Sequence, residues 1–411
     1  MILFEVRMEL RRLLKSRSVQ AGVCLLPLMI TAVMYARMKS PYVHSYKMAD
    51  GMKMKIWTEN DRAKFSGLPP KQSILVYGLT RWFDEWVGTK WNSDDVFKTC
   101  PVKNCVLTKD RAMVDVADAV MYRWDNLGKC RKKSKDGQVW ILFEHESPAY
   151  PHKSYMSCND DKVNWTCTYR RDSDFTLVHG QFRRHDTGYN MSQIHQLWRS
   201  KSKTAVGFIS HCRSRSQRDQ FVDKLRSHGM DIDIYGECGN KKCGGQRDTK
   251  WQGVWNVTAG RQDHCFDVLD TQYKFYLSLE NAICKDYVTE KSLHLVLRHQ
   301  IVPLIRDGAK RSIFHPPHSY IDTKDFKRIK SLAEHIKFLS GNFDRYLEYF
   351  NWRKYYSVET VTGVLQSIMC DMCHRMNHQS QYTRLYSNLK NFYMKSQLKK
   401  KGKRICKNRK I

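Results

Sequence analysis

Apolar residues fall in short runs separated by polar loops along most of the chain, and the spacing within the runs switches between strand-like and helix-like periods. In residues 273–279, Tyr273, Phe275, Leu277 and Leu279 alternate with smaller or polar positions, which predicts a half-buried strand. Residues 301–305 read as a second, more deeply buried strand. Between them Leu293, Val296 and Leu297 recur at helical spacing, with Asp286 or Thr289 available to cap the first turn, so the stretch reads as a βαβ unit. A similar unit precedes it: residues 204–210 form the strand, Arg218, Phe221, Val222 and Leu225 share a helix face, Gly229 stops the helix, and 231–235 alternates again. In the amino-terminal half, 73–77, 119–121, 139–143 and 175–178 are the strand candidates. The polar stretch 181–203 is where a domain boundary is expected. Residues 324–353 show helical spacing, with Phe326, Ile329, Leu332, Ile336 and Leu339 on one face, and no repeat of 20 to 50 residues runs through the chain.

This pattern puts chemistry at strand ends. Glu280, Asn281, Asp286, Tyr287, Thr289, Glu290 and Lys291 follow the carboxyl end of one strand. In open α/β sheets that crevice takes ligands, and free helix N–H groups there favour phosphate. Lys291 can complete the neutralisation of a diphosphate. The loop 211–218, HCRSRSQR, occupies the equivalent place after the other strand, where an arginine can grip phosphate with both arms. Residues 139–143 lead into Glu144 and Glu146, two carboxylates placed for general-base work or, equally, solvated loop acids. Arg170 and Arg171 precede Asp172 and Asp174 closely enough to pair locally.

Composition narrows the partners. The 411 residues suffice for two ordinary domains, and 71 Lys and Arg against 41 Asp and Glu give a formal charge of +30, which favours acidic partners such as phosphates, nucleic acid or anionic membrane. Residues 19–36 carry no charge and at roughly 27 Å are just long enough for one membrane span. The basic residues before it favour a cytosolic amino end, and a cleavable signal peptide is the rival reading. Residues 37–72 read as a stem. The basic tail binds nucleic acid only if the span and the three N-x-Ser/Thr sequons, at Asn164, Asn190 and Asn256, are set aside. Fourteen cysteines include the close pairs Cys100 with Cys105, Cys238 with Cys243, and Cys370 with Cys373. They fit disulfides of the secretory pathway, with zinc as the competing account.

The run from Tyr273 to Lys291 resembles the signature of the α1,3-fucosyltransferases, close to YKF, a short spacer, EN and DYVTEK. Trp140 with Glu146-Ser147-Pro148, the segment 164–174 (NWTCTYRRDSD) and the 211–218 loop resemble further motifs of that family. The resemblance covers about residues 73–376. It departs at His211, where Asn is usual, and at Arg298-His299-Gln300, where small residues are.

The resemblance implies an α/β protein of GT-B type, two Rossmann-like domains facing a cleft, behind a single transmembrane helix and a stem. The expected divisions are a cytosolic tail (1–18), a signal anchor (19–36), a stem (37–72), an acceptor-side domain (73–195), a GDP-fucose-binding domain (196–376) and a basic tail (377–411). It implies Glu146 as the base that activates the acceptor hydroxyl, with Glu144 as the other candidate. Arg218 becomes a diphosphate ligand beside Lys291, with Tyr287 and Glu290 on the donor's ribose or fucose and Asn281 positioning the loop. Relatives bridge the late cysteine pair to early cysteines, here Cys100 and Cys105. The implied reaction moves fucose from GDP-fucose to N-acetylglucosamine of a glycoprotein or glycolipid glycan in α1,3 linkage with inversion. No cofactor is required, a divalent ion is at most stimulatory, and the enzyme faces the Golgi lumen without a nucleic-acid partner. The alternatives are a transferase using another nucleotide sugar and a silent luminal glycan-binding protein.

Overall fold

The computed structural model describes residues 72–77, 96–123, 132–149, 159–242, 264–292, 298–395 and 406. The expected anchor, most of the stem, Cys243, Asn256 and the helical positions Leu293, Val296 and Leu297 lie outside them. Among the described residues no helix is long and apolar enough to cross a membrane.

The first sheet is built from β1 (Gln72–Tyr77), β2 (Cys105–Thr108), β3 (Ala119–Tyr122), β4 (Val139–Glu144), β5 (Trp165–Thr168) and β6 (Phe175–Thr176), in the order β2-β1-β3-β4-β5-β6. Every pairing is parallel. β4 is buried at all its positions, which is why its sequence reads VWILFE without alternation: a parallel strand covered on both faces has no polar side. The chain leaves this sheet through β7 (Gly180–Arg184) and enters the second lobe by helix α1 (Ser192–Ser200).

The second sheet contains β8 (Lys203–Phe208), β9 (Ile232–Tyr235), β10 (Tyr273–Leu279), β11 (Val302–Arg306) and β12 (Ile321–Asp322), all parallel in the order β12-β11-β10-β8-β9. Helix α2 (Arg218–Ser227) connects β8 to β9, and Gly229 at φ +74° turns the chain after it. Phe275, Leu277 and Leu279 of β10 face a core shared with Phe221, Val222 and Leu225 of α2, while Tyr276 packs on the opposite face with Phe208, Phe266 and Leu269. The helical stretch after residue 324 is interrupted. Its long part is α3 (Ile329–Gly341), which supplies Leu332, Ile336 and Leu339 to the core. Asn342, in extended geometry, ends it and caps the next short helix by accepting the Arg345 N–H. Phe326 precedes α3 and is only partly buried. The departure at His299 and Gln300 is absorbed by packing, since both bond Asp270.

The chain then returns. β13 (Tyr356–Thr360) pairs antiparallel with β7, and helix α4 (Val361–Asn377) packs on the first lobe, bonded to it by Cys100–Cys370 and Cys105–Cys373. These are the bridges that the family resemblance implied. Of the other candidates, Cys238 bonds Cys212, closing the loop after β8 onto the loop after β9. Cys284 bonds Cys406, and with these cysteines oxidised the zinc account fails for them. The reading of 377–411 as a basic tail is also corrected. Tyr386, Leu389 and Tyr393 are buried against the first lobe, so this otherwise exposed stretch packs onto the core through three side chains.

Non-reducing peptide mapping should return Cys100–Cys370, Cys105–Cys373, Cys212–Cys238 and Cys284–Cys406. Replacing Cys105 and Cys373 together by Ala should lower the unfolding free energy by about 2–5 kcal/mol in urea titrations.

Candidate active site

The carboxyl ends of β4, β8 and β10 supply the polar groups. Glu146 lies two residues past β4, with its side chain 35% exposed. Glu144 is buried and its Oε1 accepts the Glu146 N–H at 2.9 Å, while its Oε2 stands 3.8 Å from the Arg123 guanidinium. Of the two acids, Glu144 therefore holds the turn and Glu146 is accessible. From the other lobe, the Tyr287 hydroxyl donates to Glu146 Oε2 at 3.2 Å. The Tyr287 ring is fixed edge-on against Tyr169, their centroids 5.0 Å apart.

Around Tyr287 residues 281–292 form an irregular turn, in which neither Asp286 nor Thr289 acts as the expected helix cap. Two interactions account for this. Asp286 sits at φ +63°, a left-handed conformation unfit for a helix cap, and its carboxylate takes the Arg171 guanidinium at 3.1 Å. The Thr289 N–H donates to Glu280 Oε1 at 2.7 Å, and its hydroxyl donates to the same carboxylate. The buried Glu280 thus takes the amide that a helix start would have offered to phosphate.

The turn delivers Lys291. Its ammonium donates to Glu290 Oε1 at 2.7 Å and to Thr289 Oγ1 at 2.9 Å, and lies 3.7 Å from Glu280 Oε2. Burial opposes the charge, but the two carboxylates override it and hold the lysine's proton affinity above its ordinary value. Burial likewise raises Glu280, whereas at Glu290 the adjacent Lys291 charge overcomes burial and keeps the carboxyl ionised to unusually low pH. One cation thus serves two acids, and Glu290 has the larger share.

Arg218, at the start of α2, is buried. It donates to the carbonyl oxygens of Leu279 at 3.1 Å and His211 at 2.8 Å, and its charge acts on Lys291 from nearby. The 211–218 loop is also held by the Ser216 N–H, which donates to the Asn281 carbonyl at 2.9 Å, and by Arg306, which donates to the Ser216 carbonyl at 2.7 Å. Asn281 therefore joins the loops after β8 and β10 through its backbone.

The site thus brings together Glu146, Tyr287, Glu290, Lys291, Arg218 and Asn281. Sequence reasoning missed His145, His179, Arg306 and the Arg171–Asp286 pair. Arg306 had a signal, since it ends the buried run 301–305; the histidines had none. His179 places Nδ1 3.9 Å from Glu290 Oε2, and His145 places Nε2 3.9 Å from Glu146 Oε1. Burial pushes His145 down to about 3, with Arg123 adding to it, and pushes His179 down to about 4 against the pull of Glu290. Of the sequons, Asn164 is engaged: Oδ1 accepts the Trp140 N–H and the Lys133 ammonium, and Nδ2 donates to the Arg384 carbonyl. Asn190 is exposed.

Two halves of one family description cover this architecture. The N-terminal fucosyltransferase domain matches residues 70–180, and the C-terminal domain of glycosyltransferase family 10 (fucosyltransferase) matches residues 198–392. Alpha-(1,3)-fucosyltransferase C of Drosophila melanogaster is 30% identical over 348 residues, covering 78% of this chain and 76% of that protein. Alpha-(1,3)-fucosyltransferase fut-1 of Caenorhabditis elegans is 34% identical over 299 residues, covering 69% of this chain and 63% of that protein. A crystal structure of an alpha1,3-fucosyltransferase with GDP-fucose aligns with a TM-score of 0.39 and 14% identity over 77% of this chain and 93% of that one. The chain belongs to glycosyltransferase family 10, and it is a fucosyltransferase.

The buried histidines carry a pH prediction. Each is neutral in the fold with a proton affinity below the ordinary 6.5, so its stability contribution is present above pH 6.5 and lost as the pH falls toward the folded value. At pH 5 each should have cost roughly 2 kcal/mol of unfolding free energy relative to pH 8. Urea titrations of wild type and His179→Gln across pH 5 to 8 should show a shallower pH dependence in the variant.

Proposed function

We propose that the chain transfers fucose from GDP-fucose to a hydroxyl of N-acetylglucosamine on a glycan, in α1,3 linkage and with inversion, with Glu146 as the general base. The observation that carries this reading is the bond between Glu146 of one lobe and Tyr287 of the other, four residues from Lys291. It sets an accessible carboxylate opposite the turn that carries Lys291. The relatives' α-(1,3)-fucosyltransferase names agree with the linkage.

In this mechanism the acceptor hydroxyl approaches Glu146, whose Oε2 is oriented by the Tyr287 hydroxyl. The carboxylate takes the proton as the oxygen bonds to the anomeric carbon. The bond to the diphosphate breaks on the opposite face and GDP departs, so configuration inverts. Charge spreads over the sugar ring in an oxocarbenium-like state, and the growing charge on the diphosphate is met by Arg218 and Lys291. For Lys291 to do this, the donor must draw its ammonium away from Glu290. Tyr287 and Glu290 contact the sugar or ribose, and Asn281 keeps the donor loops in register. This reading needs no divalent ion.

We place the enzyme at the Golgi membrane, with residues 19–36 as a single anchor and the catalytic region luminal. The disulfides support this reading, because such bonds persist in oxidising compartments.

Glu146→Gln should lower kcat by about 10²–10⁴-fold while leaving GDP affinity within twofold by calorimetry; full turnover in that variant would remove Glu146 as the base. Lys291→Ala should weaken GDP binding by roughly tenfold or more, as loss of a charge-assisted contact requires. EDTA should leave the rate of GDP-fucose turnover within twofold.

A further inference from the structure

The carboxyl-terminal segment touches both halves of the site. Along the first lobe, Tyr386 bonds through its backbone to Asp161 and Val163 and through its hydroxyl to Asp174, at 2.8 Å. The Leu389 N–H donates to Asp160 at 2.7 Å. Arg170, fully buried, lies 4.5 Å above the Phe392 ring and reaches the Tyr393 carbonyl. At the end of this path the Tyr393 hydroxyl donates to the backbone carbonyl of Glu146. Its ring is buried and meets Tyr169, which in turn braces Tyr287. Farther along, Cys406 is bonded to Cys284, between Asn281 and Tyr287 in the donor turn. Tyr386, Leu389 and Tyr393 share one apolar cluster with Tyr169 of the first lobe and Ala282, Cys284 and Tyr287 of the second.

We propose that this segment is a strap that registers the proton acceptor against the donor turn, with Tyr393 as a positioning residue for Glu146. The inference rests on the reading of Glu146 as the base. Glu146 stands outside β4, and its backbone is held at the amide by Glu144 and at the carbonyl by Tyr393. Removing the second hold frees rotation of the peptide that carries the carboxylate. Tyr393 is buried with its hydroxyl on the Glu146 carbonyl, and acts through Glu146. The disulfide fixes the same segment to the donor turn, so its loss acts on GDP binding instead.

The test is a double-mutant cycle on the full-length enzyme. Tyr393→Phe should lower kcat roughly tenfold, short of the roughly hundredfold that a full ångström of misplacement can cost, with GDP affinity unchanged and the thermal midpoint lowered by only about 2–4 °C. In a Glu146→Gln background the same change should cost nothing more, because the group it positions no longer acts. Full kcat in Tyr393→Phe, or an equal fold-loss in both backgrounds, would overturn the positioning role while leaving the base assignment intact. A fully active Glu146→Gln would instead sink the base assignment, and the inference with it. Replacing Cys284 and Cys406 together by Ser should weaken GDP binding at least threefold by calorimetry, and unchanged affinity would remove the strap's second anchor.

Discussion

The placement of Tyr287 is the constraint on which the site depends. Its ring is buried among residues of the first lobe, the donor turn and the carboxyl-terminal segment. Burying an aromatic of this size contributes about 1.5–3 kcal/mol, and edge-to-face neighbours add to it. A single hydrogen bond to Glu146 contributes about 1 kcal/mol net. Packing therefore decides where the hydroxyl points, and the carboxylate follows. The link between the lobes is a property of the core first and of the site second.

The same core explains the charges. Removing an ion from water costs several kcal/mol unless partners compensate, so a buried turn with two acids and one lysine cannot keep all three fully ionised at equal cost. Glu290 has the closer contact with Lys291 and keeps its charge; Glu280, farther away, spends its oxygens on Thr289 and is pushed up by burial. The neighbouring histidines are neutral for a related reason, since burial outweighs the pull of Glu290 on His179. What remains at the mouth is an ammonium shared among protein groups. A diphosphate, with more charge and more oxygens than one carboxylate, is the kind of ligand that can compete for it.

Much of this was legible in the chain. β4, β8, β10 and α2 were readable because their apolar periods are local properties, and the site residues followed from strand ends and motif identities. The irregular turn after β10 was not, because helix spacing counts apolar positions and is blind to Glu280 taking the Thr289 amide and Arg171 taking Asp286. The partner of Cys238 was not legible because spacing does not fix connectivity, and the fold brings two loop ends together. The segment after α4 was read by its lysines, although Tyr386, Leu389 and Tyr393 carry the packing. In each case the deciding partner is distant in sequence.

The path of the chain bears on how rigid the site is. The polypeptide crosses from the first lobe to the second through β7 and returns through β13, and the two crossings are hydrogen-bonded to each other along five residue pairs. A single linker would let the lobes swing about its dihedral angles, but a paired ribbon must bend as a unit, and bending it strains the ladder. The return is fastened beyond β13 by α4 and its two disulfides to the first lobe. Cys284–Cys406 then joins the end of the chain to the donor turn. On the proposed mechanism the base and the leaving-group cations come from different lobes, and their separation has to be set to a fraction of an ångström. Here that separation is held by a ribbon, a helix and three covalent links.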